Sequence, residues 1–289
     1  MKVVFGIPLS VYKIVNGVYI KYEKGKKIAP GYIVGSKEQH PDLILYNPEA
    51  ILVKYGGVLS HLAMLCREKG IPLFKVKNLD DLVDGEPIIV IPVKKEKTKI
   101  SDISIFTLRI ITNQQNFQAE HRRIYSTMKY VANRYGLKVN LEYKGTERNI
   151  MYFKVYVKGY KKLFDNALNN PDKYVHIIQE DIQTTLKHKI PLGIYLIGLG
   201  EALISYLAEK YGYDRVLEAI PPYEIIWKDV PDTYFEVRFG LRSKESIKKL
   251  RELSKGSSRK IKPLEGKDQR VLELALNIFK LYEIKNLIR

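Results

Sequence analysis

The first hundred residues alternate short apolar runs with turn-forming residues. These runs are rich in β-branched side chains and are bounded by Gly, Pro, Asn or Asp, which is the pattern of β-strands. We therefore expect this part of the chain to be built on a sheet. Its predicted strands cover residues 17–20, 43–46, 50–53 and 87–91.

Longer periodic stretches follow after residue 100. Strands are predicted at residues 104–112, 137–143 and 150–158, where apolar side chains alternate or cluster. Elsewhere the apolar residues recur at helical spacing, so the second part of the chain is expected to be rich in helices. The predicted helices cover residues 114–135, 160–169, 171–189, 193–211, 245–253 and 270–288.

A charged segment separates the two patterns. Residues 93–99 read Val-Lys-Lys-Glu-Lys-Thr-Lys and contain almost no apolar side chain. A chain of 289 residues is long enough for two domains that each bury a core. The sequence therefore predicts an α/β protein, with a first domain at residues 1–97 and an α-rich α+β domain at residues 98–289.

Composition limits the cellular compartment and the kinds of functional site that we expect for this protein. Cys66 is the single cysteine, which excludes an intramolecular disulfide and a cysteine-based zinc site. The first eight residues lack the apolar core of a signal peptide. No apolar segment approaches the roughly 18 to 20 residues that span a bilayer. We therefore expect a cytoplasmic protein that does not contact a membrane.

The formal net charge of +17 has two interpretations. A basic surface attracts polyanions such as nucleic acid, an acidic surface or a phosphorylated substrate. The lysines are spread widely, however, and enrichment in Lys, Glu, Ile and Tyr resembles proteins of heat-loving organisms, whose surfaces are generally charged. A solvated surface and a true polyanion site both stay open at this point.

The segment from Gly56 to Pro72 carries the clearest chemistry. A Gly-Gly turn is followed by a Ser-His pair and by an apolar helical pattern that Gly and Pro end, which places Ser60 and His61 at a helix N-terminus. Unpaired backbone N–H groups and the positive end of the helix dipole stabilise a phosphate there, and glycines let the backbone approach it. We therefore expect Gly56, Gly57 and Ser60 to bind phosphate.

The helix N-terminus also affects the charge state of His61. Its positive end disfavours imidazolium, so the ring stays neutral and nucleophilic near neutral pH. The hydroxyl of Ser60 is suited to capping the helix, to donating a hydrogen bond to phosphate, or to both. His61 and Ser60 are therefore the catalytic candidates.

This segment resembles the phosphohistidine swivelling, or mobile, domain of phosphoenolpyruvate-utilising enzymes such as pyruvate phosphate dikinase and phosphoenolpyruvate synthase. In that family the histidine of a Gly-Gly-x-x-Ser/Thr-His-x-Ala motif becomes phosphorylated, and His61 falls on that histidine. Residues 29–35 look like the family's Ser-Pro-Gly segment, and residues 82–90 look like its Leu-x-Asp-Gly turn and last strand. The resemblance covers about residues 25–91.

The resemblance implies a fold and a reaction. It implies a three-layer β/β/α swivelling domain in which His61 accepts a phosphoryl group and delivers it to an acceptor. Relatives place this domain beside an ATP-grasp domain or a phosphoenolpyruvate-binding barrel, neither of which fits in the remaining residues, and no P-loop pattern occurs. We therefore expect ATP or phosphoenolpyruvate as the donor on a separate subunit that holds Mg²⁺, a phosphorylated small molecule as a ligand, and no cofactor on this chain.

Two groups of cations in the second part of the chain are further candidates. Arg122 and Arg123 lie on a predicted helix and form either a phosphate-binding cluster with Arg134 and Arg148 or a solvated helix face. Residues 242–262 hold nine Lys or Arg around a Gly-Ser turn, which is either a clasp for phosphate or RNA or a surface loop. The candidate contacts in this second group are Lys255, Arg259 and Lys260.

These cations define the alternative to phosphotransfer. In that alternative the protein is a non-catalytic binding module, whose swivelling fold is a scaffold and whose basic second domain binds nucleic acid. His176 and Glu180 share a predicted helix face, and His188 lies two turns further on. That spacing permits metal binding, but it belongs to no recognised motif, and we expect no metal site.

Overall fold

The computed structural model describes residues 1–23, 27–93, 101–111, 117–188, 192–239, 244–255 and 260–284. Its strands are β1 (Lys2–Pro8), β2 (Val15–Lys21), β3 (Ile33–Ser36), β4 (Ala50–Val53), β5 (Leu73–Lys75), β6 (Pro87–Pro92), β7 (Ile103–Ile111), β8 (Lys138–Glu147) and β9 (Ile150–Lys158). Its α-helices are α1 (His61–Lys69), α2 (Phe117–Tyr135), α3 (Tyr160–Asn169), α4 (Pro171–His188), α5 (Ile197–Tyr211), α6 (Tyr213–Ala219), α7 (Tyr223–Trp227), α8 (Asp232–Phe239), α9 (Lys244–Ser254) and α10 (Gly266–Ile284). Short 3-10 helices lie at Pro41–Tyr46, Leu79–Asp81 and Leu192–Tyr195.

The chain forms two compact units, each made of two separate segments. Unit 1 consists of Met1–Lys97 and Gly212–Pro263, and unit 2 consists of Thr98–Tyr211 and Leu264–Arg289. The first segment of unit 1 ends where the sequence predicts a boundary. Its second segment, with α6 to α9, differs from the predicted division, which assigns it to the C-terminal domain. The reason is tertiary packing, because α7 and α9 contact α1.

The six strands of unit 1 close into a barrel in the order β1-β5-β4-β3-β2-β6. Parallel pairs join β2 to β3, β3 to β4, β4 to β5 and β1 to β6. Antiparallel pairs of β1 with β5 and of β2 with β6 complete the ring. The predicted α/β class is confirmed, but the strands form one closed barrel where the resemblance implies sheet layers. The barrel closes because β1 pairs with β5 on one edge and with β6 on the other.

The interior of the barrel explains why its central strands are buried throughout. All residues of β3 and β4 are buried, which is typical of strands covered on both faces. The ring of Tyr19 fills the space beside β3, and a Cβ added to Gly35 would lie 2.4 Å from that ring. A glycine is therefore required at this position for the tyrosine to pack inside the barrel.

The strand predicted at residues 43–46 is wrong, because this stretch belongs to the 3-10 helix Pro41–Tyr46. Proline fixes φ near the helical value and stands at the start of this helix. Leu43 and Ile44 are both buried although they are adjacent, whereas a half-buried strand alternates. The helix ends at Asn47, whose φ of 47° is left-handed.

Unit 2 combines a small sheet with a helical layer. Its strands form an antiparallel sheet in the order β7-β9-β8, and α2 packs against β8. Helix α10 packs against α4 and α5. The strand at Ile150–Lys158 and the helix at Tyr160–Asn169 have the predicted bounds. In the ranges that the structure describes, no helix is both long and apolar enough to cross a membrane.

A buried carboxylate joins two helices of unit 2. Asp181 on α4 is fully buried and accepts hydrogen bonds from the hydroxyls of Tyr130, at 2.6 Å, and Tyr135 on α2. Burial raises the pKa of Asp181, whereas these two hydroxyls and the guanidinium of Arg134 act to lower it. Arg134 also pairs with Glu180, which is half exposed. The packing of α2 on α4 therefore depends on one polar group with several partners.

Replacing this carboxylate tests its role in unit 2. Asp181→Leu is expected to lower the free energy of unfolding by about 3 kcal/mol, because two tyrosine hydroxyls and Arg134 lose their shared partner. Glu180→Gln removes a neighbouring but exposed partner of Arg134 and should cost less than about 1 kcal/mol. Urea unfolding followed by circular dichroism measures both variants. Equal losses of unfolding free energy in the two variants would contradict the role given to Asp181.

Cleavage between the first segment of unit 1 and the rest of the chain tests the discontinuous unit. A protease site is introduced between Val93 and Ser101, and the cut protein is passed over a gel-filtration column. The two fragments should elute together in native buffer, because α7 and α9 pack on α1, and should separate in urea. An N-terminal fragment that separates in native buffer and stays folded would show that residues 212–263 are not part of its core.

Candidate active site

The helix that carries His61 begins at this residue because Ser60 caps it. The side chain of Ser60 accepts a hydrogen bond from the backbone N–H of Ala63 at 3.3 Å, as expected of an N-cap serine. Gly70 ends the helix in the left-handed conformation and donates its N–H to carbonyls of the last turn. The sequence thus places His61 at the first position of α1, where backbone N–H groups are unpaired.

The Gly-Gly turn before the helix is held by side chains from two directions. The side-chain amide of Gln39 donates to the carbonyl of Tyr55 at 3.1 Å, and a Cβ added to Gly56 would lie 1.4 Å from that amide nitrogen. Gly56 also has a φ of 140°, which favours glycine. On the other side, the guanidinium of Arg67 donates to the carbonyl of Val58 at 2.9 Å.

These contacts help to explain why residue 56 is a glycine, which the sequence alone does not show. A side chain at Gly56 would displace the amide of Gln39, and the backbone angle favours glycine at this position. The carbonyl of Gly57 accepts a hydrogen bond from the backbone N–H of Ser60 at 3.1 Å, which closes the turn into the helix. Phosphate binding by this turn remains a prediction.

His61 itself is almost completely buried. Three aromatic side chains from the second segment of unit 1, which we call the aromatic cap, cover the ring: Tyr223, Trp227 and Tyr234. The rings of His61 and Trp227 are 4.6 Å apart between centroids, and Trp227 stacks on Tyr234. Each cap residue is at most 1% exposed, so the cap excludes water from the imidazole.

Both nitrogens of the His61 ring have hydroxyl partners. Nδ1 lies 2.9 Å from the hydroxyl of Tyr223, and Nε2 is hydrogen-bonded with the hydroxyl of Tyr234. A neutral imidazole donates at one nitrogen and accepts at the other, and a tyrosine hydroxyl can do either. The pair of tyrosines therefore satisfies a neutral ring, and in this arrangement a phosphoryl donor has no path to either nitrogen.

The thiol nearest to the candidate histidine in sequence takes no part in its chemistry. Cys66 is a free cysteine that is fully buried on α1. Burial raises the pKa of this thiol well above its usual range, so it stays protonated. Thiolate is the nucleophilic form of cysteine, so this buried thiol is not expected to act as a nucleophile.

The arginines predicted on α2 are not gathered into one cluster. Arg123 forms an ion pair with Glu120 at 2.8 Å, and the Nε of Arg122 donates to a backbone carbonyl of its own helix. Arg134 contacts α4, and Arg148 lies in the turn between β8 and β9. Phosphate binding by Arg122 and Arg123 remains a prediction, with a solvated helix face as its alternative.

The second basic group lies in unit 1. Lys255 and Lys260 are exposed near the end of α9, and Arg259 lies outside the described residues. The exposed ring of His176 places its Nε2 at 3.1 Å from a carboxylate oxygen of Glu180. Within the described ranges, no group of three or more His, Cys, Asp or Glu is arranged to hold a metal ion.

The aromatic cap is the part of the site that sequence analysis misses. The helices that carry it, α7 and α8, are short and follow Pro222 or Pro231, so they give no periodic signal. Tyr223 and Trp227 are four residues apart and share one helix face, and Trp227 is the single tryptophan of the chain. This pairing marks a buried aromatic face, but it does not reveal which residue the face covers.

Comparison with known families supports the part of the chain around His61. Residues 30–92 match the family model of the PEP-utilising enzyme mobile domain, which is well under half of the chain. Searches of curated proteins and of solved structures give no significant match. The family match confirms the resemblance seen in the sequence and supports a phosphohistidine-bearing phosphotransfer module. Residues 30–92, with His61 at the start of their buried helix, are thus similar to the mobile domain of PEP-utilising enzymes.

Proposed function

We propose that the protein is a phosphotransfer protein in which His61 accepts a phosphoryl group and passes it to an acceptor. The observation that carries this proposal is the position of His61 at the first residue of a Ser60-capped helix, within the segment that matches the mobile domain. A helix N-terminus stabilises the negative charge of a phosphoryl group through its unpaired N–H groups and its dipole. In this proposal the transferred phosphate binds at the start of α1.

The transfer step uses the neutral form of the ring. The lone pair of one imidazole nitrogen attacks phosphorus, the bond from phosphorus to the leaving oxygen of the donor breaks, and that oxygen departs with the electron pair. The N–H on the other nitrogen remains, and a hydroxyl that accepts its hydrogen bond stabilises the charge that develops on the ring. In a second step, an acceptor oxygen displaces the histidine from phosphorus and restores the neutral ring.

The donor in this proposal is ATP or phosphoenolpyruvate bound by a separate subunit. A mobile domain in this family works with other domains or subunits. The partner in our proposal holds the donor with its Mg²⁺, and the acceptor is a small molecule.

The aromatic cap gives the proposed reaction a gate. Both ring nitrogens are covered by Tyr223 and Tyr234, so the arrangement in the structure is a closed state. Phosphorylation requires an open state in which at least one of these hydroxyls has left the ring. The rate of phosphorylation then depends on the population of the open state, because only the competent fraction of molecules reacts.

The first test of this function is chemical labelling of the histidine. The full chain is incubated with a cell extract and with labelled ATP or phosphoenolpyruvate. We expect an acid-labile, alkali-stable phosphoryl group, because that is the behaviour of a phosphorus–nitrogen bond. The label should be lost in His61→Gln and His61→Ala but kept in His40→Gln, which changes a partly exposed histidine of the same unit.

Two outcomes separate phosphotransfer from the non-catalytic alternative. Labelling at another residue, with none at His61, would contradict the proposal. Folded protein that is not labelled by any extract fraction, with either donor, would favour a binding module with a structural histidine. Circular dichroism of both His61 variants shows whether loss of label reflects chemistry or unfolding.

The second test concerns the gate. Tyr234→Phe removes the hydroxyl that covers Nε2 but keeps the ring that stacks on Trp227. Loss of one hydrogen bond, worth about 0.5 to 1.5 kcal/mol, should raise the initial rate of labelling by about 2-fold to 10-fold. Tyr125→Phe, at an exposed tyrosine of unit 2, is the matched control and should not change the rate.

A structural role for the cap predicts a different pattern. If Tyr234 only stabilises the fold, Tyr234→Phe should lower the melting temperature and leave the labelling rate of the folded protein unchanged or lower. Slower labelling by folded Tyr234→Phe would show that the hydroxyl assists the reaction. That result would contradict the gate.

A further inference from the structure

The sheet of unit 2 has one face that packs into the core and one that does not. On the central strand, β9, the side chains of Met151, Phe153, Val155 and Val157 are completely buried. Because successive side chains of a strand point to opposite faces, the intervening residues lie on the other face. In chain order these residues are Tyr152, Lys154, Tyr156 and Lys158.

The register of the sheet adds basic residues on both sides of these tyrosines. On β7, Arg109 pairs with Tyr152, and on β8, Lys138 pairs with Lys158. The guanidinium of Arg109 lies 6.0 Å from the ring centroid of Tyr152, within reach of a cation–π contact. We call this surface the open face. It consists of Tyr152, Lys154, Tyr156, Lys158, Arg109, Lys138 and the side chains of β7 and β8 that lie on the same side of the sheet.

A shallow depression lies on this part of the sheet. Its volume is about 460 Å³, and Tyr152, Lys154 and Lys144 are among the residues that line it. Ile105 and Thr107 of β7 also line it, and Ile105 is 54% exposed. The depression thus combines an aromatic ring, an exposed apolar side chain and two ammonium groups.

Charge on the open face is mainly positive. Its cations are Arg109, Lys138, Lys144, Lys154 and Lys158, and its carboxylates are Glu142 and Glu147. Glu142 is already engaged, because it pairs with Lys144 and accepts a hydrogen bond from the hydroxyl of Tyr156 at 3.2 Å. The cations therefore outnumber the carboxylates, and the surface is complementary to a polyanion.

We propose that the open face binds single-stranded nucleic acid. Tyrosines alternate with lysines along β9, so a base can stack on Tyr152 or Tyr156 while an adjacent cation contacts its phosphate. Single strands expose the faces of their bases, and stacking on aromatic side chains combined with a basic surface is how sequence-tolerant proteins bind them. A duplex hides those faces and can use only the cations.

This activity is distinct from phosphotransfer and does not rest on it, because the open face lies in unit 2 and His61 lies in unit 1. It also differs from the nucleic-acid contacts that the sequence predicts, which are Arg122, Arg123 and the cations near the end of α9. The open face is recognised from the alternation of tyrosine and lysine in residues 152–158 of the sequence. In the structure, the residues between them are buried.

The test is binding of the full chain to a fluorescent oligonucleotide of about 12 nucleotides, which is within the usual range of site sizes. We expect Tyr152→Leu and Tyr156→Leu each to weaken binding by about 5-fold or more, because each removes a stacking surface. Tyr152→Phe and Tyr156→Phe keep that surface and should bind like the unchanged protein. Tyr125→Leu, on α2 of the same unit, is the control for loss of an exposed tyrosine.

Salt dependence tests the cations separately. Between about 50 and 200 mM salt, Lys154→Gln and Lys158→Gln should each reduce the slope of log affinity against log salt by about 0.7, the value for one phosphate contact on a single strand. Lys129→Gln changes an exposed lysine of α2 and should leave the slope unchanged.

Three outcomes would overturn the proposal. One is duplex binding as tight as single-strand binding, and another is no effect of the Tyr→Leu changes, since both indicate general attraction of a basic protein to polyanions. The third is displacement of the oligonucleotide by an equal charge of polyglutamate, which would mean that the face recognises acidic protein segments. All variants are checked by circular dichroism, and a variant that is not folded is replaced by the corresponding Tyr→Thr change, which suits a strand.

Discussion

The two hydrogen bonds on the His61 ring are the constraint on which unit 1 depends. A buried imidazole requires partners at both nitrogens, because an unpaired polar atom in the interior is costly. Tyr223 and Tyr234 supply these partners from a segment that is remote in sequence. The same contacts bring α7 and α8 to the start of α1. One pair of bonds thus joins the two segments of unit 1 and covers its candidate nucleophile.

Local sequence signals predict the local part of this site. Ser60 and Gly70 set the bounds of α1 by capping, which acts over a few residues. The cap on His61 cannot be predicted in this way, because its residues lie 162 and 173 positions away and their helices are short. Leu43 and Ile44 mislead for a related reason, since the apolar run before Asn47 forms a 3-10 helix that Pro41 starts.

The two proposals use opposite physical conditions. Phosphotransfer from His61 needs a dry, enclosed nucleophile that is uncovered only at the moment of reaction, so that the labile phosphorus–nitrogen bond is protected from water. Binding of a single strand by β9 needs rings and ammonium groups that stay in contact with solvent. Unit 1 provides the first condition through burial, and unit 2 provides the second through a sheet with one uncovered face.

The discontinuity of unit 1 has a consequence for synthesis on the ribosome. Residues 1–97 emerge first, whereas the segment with α7 and α8 follows only after most of unit 2. At typical elongation rates this interval lasts roughly 6 to 30 s. During that time the apolar surface of α1 and the imidazole of His61 are uncovered in the nascent chain. The newly made protein therefore passes through a stage in which His61 is accessible because the aromatic cap has not yet been synthesised.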